Sequence, residues 1–334
     1  MNGSDRVTVR HGTGLKRLLV KDSAATIVSV RPQGDGSYHF SSLAVPPEMV
    51  VGPGREKLVE ADERKLGSTL ADFRFALGID EDMAPFRNSF ATDPLLGPAI
   101  AARIHSRPLR RADPWEALAW AITEQLIEYR RAAAIQRRII RKWGLSIESD
   151  GLVSSSSGGV AFSRSTRGRS AAGYRLSTVP AASVIAGAAP AELQACDLSV
   201  RRATAMIRVA REVSRGRVNL SNPDDDPRLL AIPEIGPWTL ACLALRGRGD
   251  ADALLAGDLG HVKLVGALAG LGRPAEIKEV EHFYEPYAPF RGVAGEFLLA
   301  HRGATFRGPG NFARIRAAGQ PWPHRLTDNP EPAP

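Results

Sequence analysis

The run Leu229-Leu-Ala-Ile-Pro-Glu-Ile-Gly-Pro-Trp-Thr-Leu-Ala-Cys-Leu-Ala-Leu245 decides how this chain is read. Two short apolar stretches flank a tight Pro233-Glu-Ile-Gly236 connection. The pattern predicts two helices joined by a hairpin, with Ile232 and Ile235 packed between them. A glycine-containing turn feeding a helix N-terminus aims several backbone N–H groups in one direction, and with the helix dipole behind them such donors suit a phosphate. Many αα-hairpins only pack, so the residues alone leave open both a packing role and an anion site.

Outward from the hairpin the chain changes character. Residues 1–14 carry no pattern and are expected to be flexible. Over 18–51 the pattern is strand-like: Thr26-Ile-Val-Ser-Val-Arg31 and Ser37-Tyr-His-Phe-Ser41 flank a Gln33-Gly-Asp-Gly36 turn, which predicts a hairpin of strands. Leu66, Leu70, Phe73 and Leu77 then recur at helical spacing, with Gly78 as the stop. Asp93-Pro94 and Asp113-Pro114 read as helix starts, Asp capping and Pro in the first turn. Residues 151–175, rich in Ser, Gly and Arg, read as a mobile loop, and helices resume with Val200, Ala203, Ile207 and Ala210 on one face. The sum is a small α+β unit followed by a larger helical one.

Composition mostly excludes. The 334 residues are 43% hydrophobic and 24% charged, enough for two or three domains. No apolar run is long enough to span a membrane, and the first residues lack the apolar core of a secretory signal, so a cytosolic, nucleoid-associated protein is expected. Two cysteines, Cys196 and Cys242, cannot build a disulfide framework, a four-thiolate zinc site or a cysteine-ligated cluster, and the seven histidines show no metal-binding spacing. Lys plus Arg number 44 against 36 Asp plus Glu, a formal net charge of +8, which favours a polyanionic partner.

The hairpin run resembles the helix–hairpin–helix of the DNA glycosylase superfamily, whose turn is of the Pro-Gly-Ile-Gly type. Further segments follow in the order that family has them: Asp113-Pro-Trp-Glu-Ala-Leu-Ala-Trp-Ala-Ile-Thr-Glu-Gln-Leu-Ile127, Leu198-Ser-Val-Arg-Arg-Ala203, Asp252, Leu254-Leu-Ala-Gly-Asp-Leu-Gly-His-Val-Lys263 and Pro289-Phe-Arg291. Within the superfamily the chain is most similar to 3-methyladenine DNA glycosylase II, the alkylation-repair branch. The resemblance implies an α+β fold with a small antiparallel-sheet domain over 1–95. A mostly α-helical core follows: 112–250 with the hairpin, and a second helical lobe from 96–111 and 251–306 carrying the catalytic acid. Residues 307–334 are expected to be a flexible Pro-rich tail. The implied protein is a monomer acting on double-stranded DNA with damaged bases, without membrane contact and without an organic cofactor.

Residue by residue, the resemblance makes Asp258 the catalytic acid, although an Asp before a helix is equally an N-cap. Trp238 stands where members that also nick the strand have a Schiff-base lysine, which implies a monofunctional enzyme that uses water. Trp238, Gln125, Phe290 and Cys242 are then expected to line the base pocket, with packing in the hairpin core as the alternative for Trp238. Leu126 takes the place of the wedge that fills the hole in the duplex. Its spacing with Leu118, Ile122 and Tyr129 equally suits one unbroken buried helix. Pro233, Ile235, Gly236 and Lys263 are expected to meet the DNA backbone, and the carbonyls of Ile232 and Ile235 to hold a monovalent cation. Two departures stand out. Glu234 occupies the first glycine position of the turn, where it strains the backbone and repels phosphate, and Glu124 replaces a small residue beside the wedge. They keep alive a DNA-binding or lesion-recognition protein without turnover, and an all-helical protein–protein scaffold is a third reading.

Overall fold

A computed structural model describes residues 7–148, 152–154, 160–162 and 175–305. Four antiparallel strands open the chain in the order β1 (Thr8–His11), β2 (Gly14–Lys21), β3 (Ala24–Pro32) and β4 (Tyr38–Ala44). The β3–β4 hairpin is the one its alternating residues predict, with Thr26 opposite Ala44 and Pro32 opposite Tyr38. The expectation of a flexible start is corrected from Thr8 onward, because β1 pairs in register with β2, Thr8 opposite Arg17. The α+β class with a small N-terminal sheet and mostly helices after it holds.

The chain divides into two compact units, the first comprising residues up to Leu77 together with Arg111–Thr239. In it helix α1 (Glu63–Leu77) packs on β3 and β4, with Arg74 over the Phe40 ring. On the opposite face, Leu18, Ala25 and Ile27 share a core with Val45, Val50, Ile147 and Leu176. The outer members come from the antiparallel pair Ser146–Glu148 and Arg175–Ser177. Helices α4 (Pro114–Glu124) and α5 (Tyr129–Trp143) follow, α4 started by Asp113, whose carboxylate accepts the Trp115 N–H at 2.8 Å. A buried ion pair between Arg17 of β2 and Glu116 of α4 ties the sheet to the helices. Within 151–175, expected to be an unpatterned loop, the backbone of Leu152–Ser154 pairs antiparallel with Val160–Phe162, and the remainder of that loop lies outside the described residues before Arg175. The Pro-rich tail lies outside them as well. Short helices α6 (Ala182–Ala186) and α7 (Pro190–Gln194) pack on α8 (Val200–Ser214), which also packs on α4 and leads to the predicted hairpin.

The second unit joins Gly78–Arg110 to the chain from Leu240 onward. Its boundaries differ from the expected 95 and 250. Met83 and Phe86, expected in the N-terminal domain, are buried in the second core, where Phe86 lies 5.1 Å from Phe297. Which core takes these side chains is decided by tertiary contact, and no spacing near residue 80 reveals it. The helices of this unit are α2 (Ala84–Phe90), α3 (Leu96–Ala101), α11 (Leu259–Ala269), α12 (Ile277–Tyr284) and α13 (Arg291–Thr305). A π-helical turn, Leu243–Arg248, precedes α11 in the 240–250 stretch and ends at Gly249 with φ +81°.

Candidate functional site

The hairpin consists of α9 (Asp226–Leu230), a turn and α10 (Pro237–Cys242), the first unit ending within α10 at Thr239. Leu229, Ile232 and Ile235 are buried and close the turn, the Ile235 N–H reaching the Ile232 carbonyl at 3.0 Å. Glu234 sits in the left-handed region at φ +74°, where a β-carbon costs roughly 1–2 kcal/mol. The departure from glycine is therefore real strain. Its carboxylate is 3.9 Å from Arg201, an exposed pair that contributes little. Pro233 is exposed, and a β-carbon on Gly236 would meet nothing within 4 Å, so the fold leaves the backbone there open to close approach.

The segment between α4 and α5 is not one unbroken helix. Helix α4 ends at Glu124, Gln125 turns extended, and Leu126 is left-handed at φ +51° with its side chain fully exposed. The break has tertiary causes that local propensity does not contain. Arg202 of α8 donates to the Thr123 carbonyl at 3.4 Å, one of the carbonyls a helix end leaves without a partner. Gln136 of α5 donates to Thr123 Oγ1 at 3.0 Å and to Glu124 Oε1 at 3.2 Å. The Gln125 carboxamide crosses to the hairpin, donating from Nε2 to the Glu234 carbonyl at 2.7 Å and to Thr239 Oγ1 at 3.0 Å. Gln125, Leu126 and the hairpin turn thus form one local cluster. Trp238 is half-buried beside it in the chain, and its Nε1 is out of solvent with no acceptor among the described residues.

In the second unit Asp258 is the N-cap of α11, and its Oδ1 accepts the Gly260 N–H at 2.7 Å. A β-carbon on Gly260 would lie 2.9 Å from that oxygen and 3.1 Å from Leu299, so glycine makes room for the carboxylate. Sequence reasoning missed His261, one turn on. It is 2% exposed, its Nδ1 is 3.1 Å from the Tyr284 hydroxyl, and the two rings meet edge to face. Burial holds the imidazole down at a pKa of about 4, with Asp258 opposing and Arg246 assisting the shift, so it is neutral at pH 7. Gly295 on α13 presses against it: a β-carbon there would come 2.5 Å from His261 Cε1. Tyr284 and Gly295 lie 23 and 34 positions further along the chain, so no local pattern carries the packing.

The loop leading to Asp258 is anchored by Asp252, which accepts the Arg291 N–H at 3.0 Å and grips the Arg291 guanidinium; that cation holds its carboxyl below the usual range. Next to it Phe290 is half-buried, edge to face with Phe86 at 5.7 Å and Phe90 at 6.4 Å. Lys263 points to solvent from α11. Cys242 is corrected: it is completely buried and presents no surface to a ligand. Among the described residues no group of three or more His, Cys, Asp or Glu side chains is arranged to hold a metal, and no helix is long and apolar enough to cross a membrane.

The fold is that of the helix–hairpin–helix DNA glycosylases. It matches a 3-methyladenine DNA glycosylase from Archaeoglobus fulgidus with a TM-score of 0.65 at 18% identity, over 89% of each chain. It also matches a Clostridium acetobutylicum 8-oxoguanine glycosylase/lyase in complex with double-stranded DNA, with a TM-score of 0.57 at 14% identity, over 89% of this chain and 97% of that one. By sequence the likeness is to the 3-methyladenine branch. A DNA-3-methyladenine glycosylase of Bacillus subtilis is 24% identical over 226 residues, 66% of this chain and 67% of that protein. A probable bifunctional transcriptional activator/DNA repair enzyme AlkA of Mycobacterium tuberculosis is 27% identical over 283 residues, 84% of this chain. The chain spans 50% of the length of that second relative. No protein-family model matches the chain.

Proposed function

We propose that this chain is a monofunctional DNA glycosylase that flips an alkylated purine such as 3-methyladenine out of double-stranded DNA and hydrolyses its N-glycosidic bond with water. The observation that carries the reading is the setting of Asp258, half-buried at a helix N-terminus with Oδ1 fixed on the Gly260 N–H. Breaking the bond builds positive charge on the sugar. A carboxylate held by one oxygen can turn the other toward that charge or toward the attacking water. The neutral His261 behind it adds no competing cation.

The remaining roles follow from side-chain chemistry. An alkylated purine is cationic, which makes it a good leaving group and draws it to aromatic faces, the part given to Trp238 and Phe290. Leu126, fully exposed on its turn, would fill the vacated stack without needing hydrogen bonds. The hairpin around Pro233, Ile235 and Gly236, with exposed Lys263, would hold phosphates. The Ile232 and Ile235 carbonyls are neutral oxygen donors suited to a hard monovalent cation, whose charge would add to that attraction. Trp238 offers no amine for a Schiff base, so no strand cleavage is expected. The relatives named as 3-methyladenine glycosylases support the substrate class.

The test is base release from methylated duplex DNA by wild type and by Asp258→Asn, with borohydride trapping alongside. Wild type should release methylpurines without a trapped adduct, and the variant should lose on the order of 10²-fold or more in rate. Asn caps a helix as well as Asp, so unfolding does not explain that loss. Equal release by both proteins refutes the role of Asp258, and a trapped adduct refutes the monofunctional reading. The Glu234 carboxylate at the exposed hairpin tip favours a second reading, lesion recognition without turnover. DNA bound by wild type with no base released would select it.

A further inference from the structure

We propose that Gln125 is a positioning residue: its carboxamide clasps the Leu126 turn to the hairpin turn, so that the wedge stands only when the hairpin is set. The proposal deepens the glycosylase reading and rests on it for its catalytic consequence, although the clasp itself is a property of the protein alone. It also changes the part expected of Gln125, from reading a base to holding the apparatus that displaces one.

The geometry fixes the orientation of the amide. A backbone carbonyl can only accept, so the group facing Glu234 O at 2.7 Å must be the NH₂. The second N–H of the same nitrogen goes to Thr239 Oγ1 at 3.0 Å, which accepts through a lone pair and keeps its own proton for another partner. Both donors of Gln125 are therefore spent inside the protein, and only Oε1 is left for anything outside. The places it joins are unusual. Leu126, the next residue, is at φ +51°, and Glu234, whose carbonyl it holds, is at φ +74°. Both are non-glycine residues in a region that disfavours a β-carbon, and such conformations persist only where the surroundings over-determine them. Each turn has local supports of its own, Arg202 and Gln136 at the end of α4 and the Ile235 N–H to Ile232 carbonyl bond in the hairpin, and the Gln125 carboxamide bonds the two directly across 109 positions of sequence.

Hydrogen exchange on the DNA-free protein tests the clasp directly. In Gln125→Ala, amides in both the 125–128 and 232–236 segments should exchange faster by about tenfold or more, the loss of two hydrogen bonds. Thr239→Val, which keeps the carbonyl bond, should give the smaller effect in both, and Thr239→Ser should restore the wild-type rates. Acceleration confined to 125–128 overturns the coupling. The functional arm compares base release from methylated duplex and methylated single-stranded DNA. Gln125→Ala should lose duplex activity about tenfold while retaining single-strand activity, and the Gln125→Ala/Leu126→Ala double variant should lose no more than Leu126→Ala alone. Losses that multiply, or that are equal on both substrates, overturn the positioning role in favour of direct base contact. A wild type that releases no base refutes the glycosylase reading, while hydrogen exchange still decides the clasp.

Discussion

The two units hold their candidate residues in opposite ways. In the first, Leu126 and Glu234 are exposed, lie on turns, and keep left-handed backbones that their own side chains disfavour. In the second, Asp258 opens a helix whose inner face is part of a closed apolar core, and glycines at 260 and 295 remove what would collide with Asp258 and His261. One arrangement stores strain and secures it with a carboxamide. The other removes strain by removing atoms. The contrast suits the proposed function: turns proposed to meet a large polyanion need reach and some give, whereas a carboxylate proposed to meet a developing charge needs a fixed position.

Acid should separate the two most strongly. The pKa of His261 is about 4 in the folded protein against an ordinary 6.5, so the unfolded chain binds its proton first. Stability from this group is complete above about pH 6.5 and is lost as pH falls toward 4, roughly 2–3 kcal/mol by pH 4.5. Urea unfolding at pH 7 and pH 4.5 should reveal that difference in wild type and find it much reduced in His261→Leu. An equal acid loss in the variant would mean that other groups carry it. Leucine leaves the Tyr284 hydroxyl without its partner, so the variant is expected to be weaker already at pH 7.

Of intermediate size is Gly295→Ala. The added carbon would sit 2.5 Å from His261 Cε1, inside van der Waals contact, so either the ring or α13 must shift. The expected cost is about 1–3 kcal/mol of stability, read as a lower midpoint in thermal unfolding. An unchanged midpoint would show that the second unit yields more than its packing implies. The smallest effect, and the only gain, is expected for Glu234→Gly. It should relieve about 1 kcal/mol of backbone strain, partly offset by the freer unfolded chain, and remove a negative charge from the hairpin tip. Tighter duplex binding with equal or higher stability is the expected result, checked by titration at two salt concentrations. Weaker binding would mean that Glu234 contributes contacts of its own.

Sequence reading reached what is local and missed what is not. The β3–β4 hairpin, the Asp113 cap and the α9–α10 hairpin are written in short-range pattern, and each stands where it is predicted. The strain at Glu234 was also legible, because a glutamate stands at the first of the two positions where such a turn favours glycine. The end of α4 was not decided by its residues: Leu118, Ile122, Leu126 and Tyr129 keep helical spacing straight through the break, and the groups that enforce it are Arg202, Gln136 and the hairpin turn. His261 was passed over for the same reason. A histidine in an apolar helix says nothing of burial until Tyr284 and Gly295 are placed around it.

The discontinuity of the second unit bears on how the chain is made. Met83 and Phe86 emerge from the ribosome early, yet Val293, Ala294 and Phe297, which complete their core, come some two hundred residues later. At translation rates of about 5–20 residues per second that interval is roughly 10–40 s. During it Arg111–Thr239 is synthesised in full, while an apolar surface upstream waits for its cover. The nascent chain therefore passes through a stage in which chaperone capture competes with native closure, and a pause after Thr239 would lengthen it.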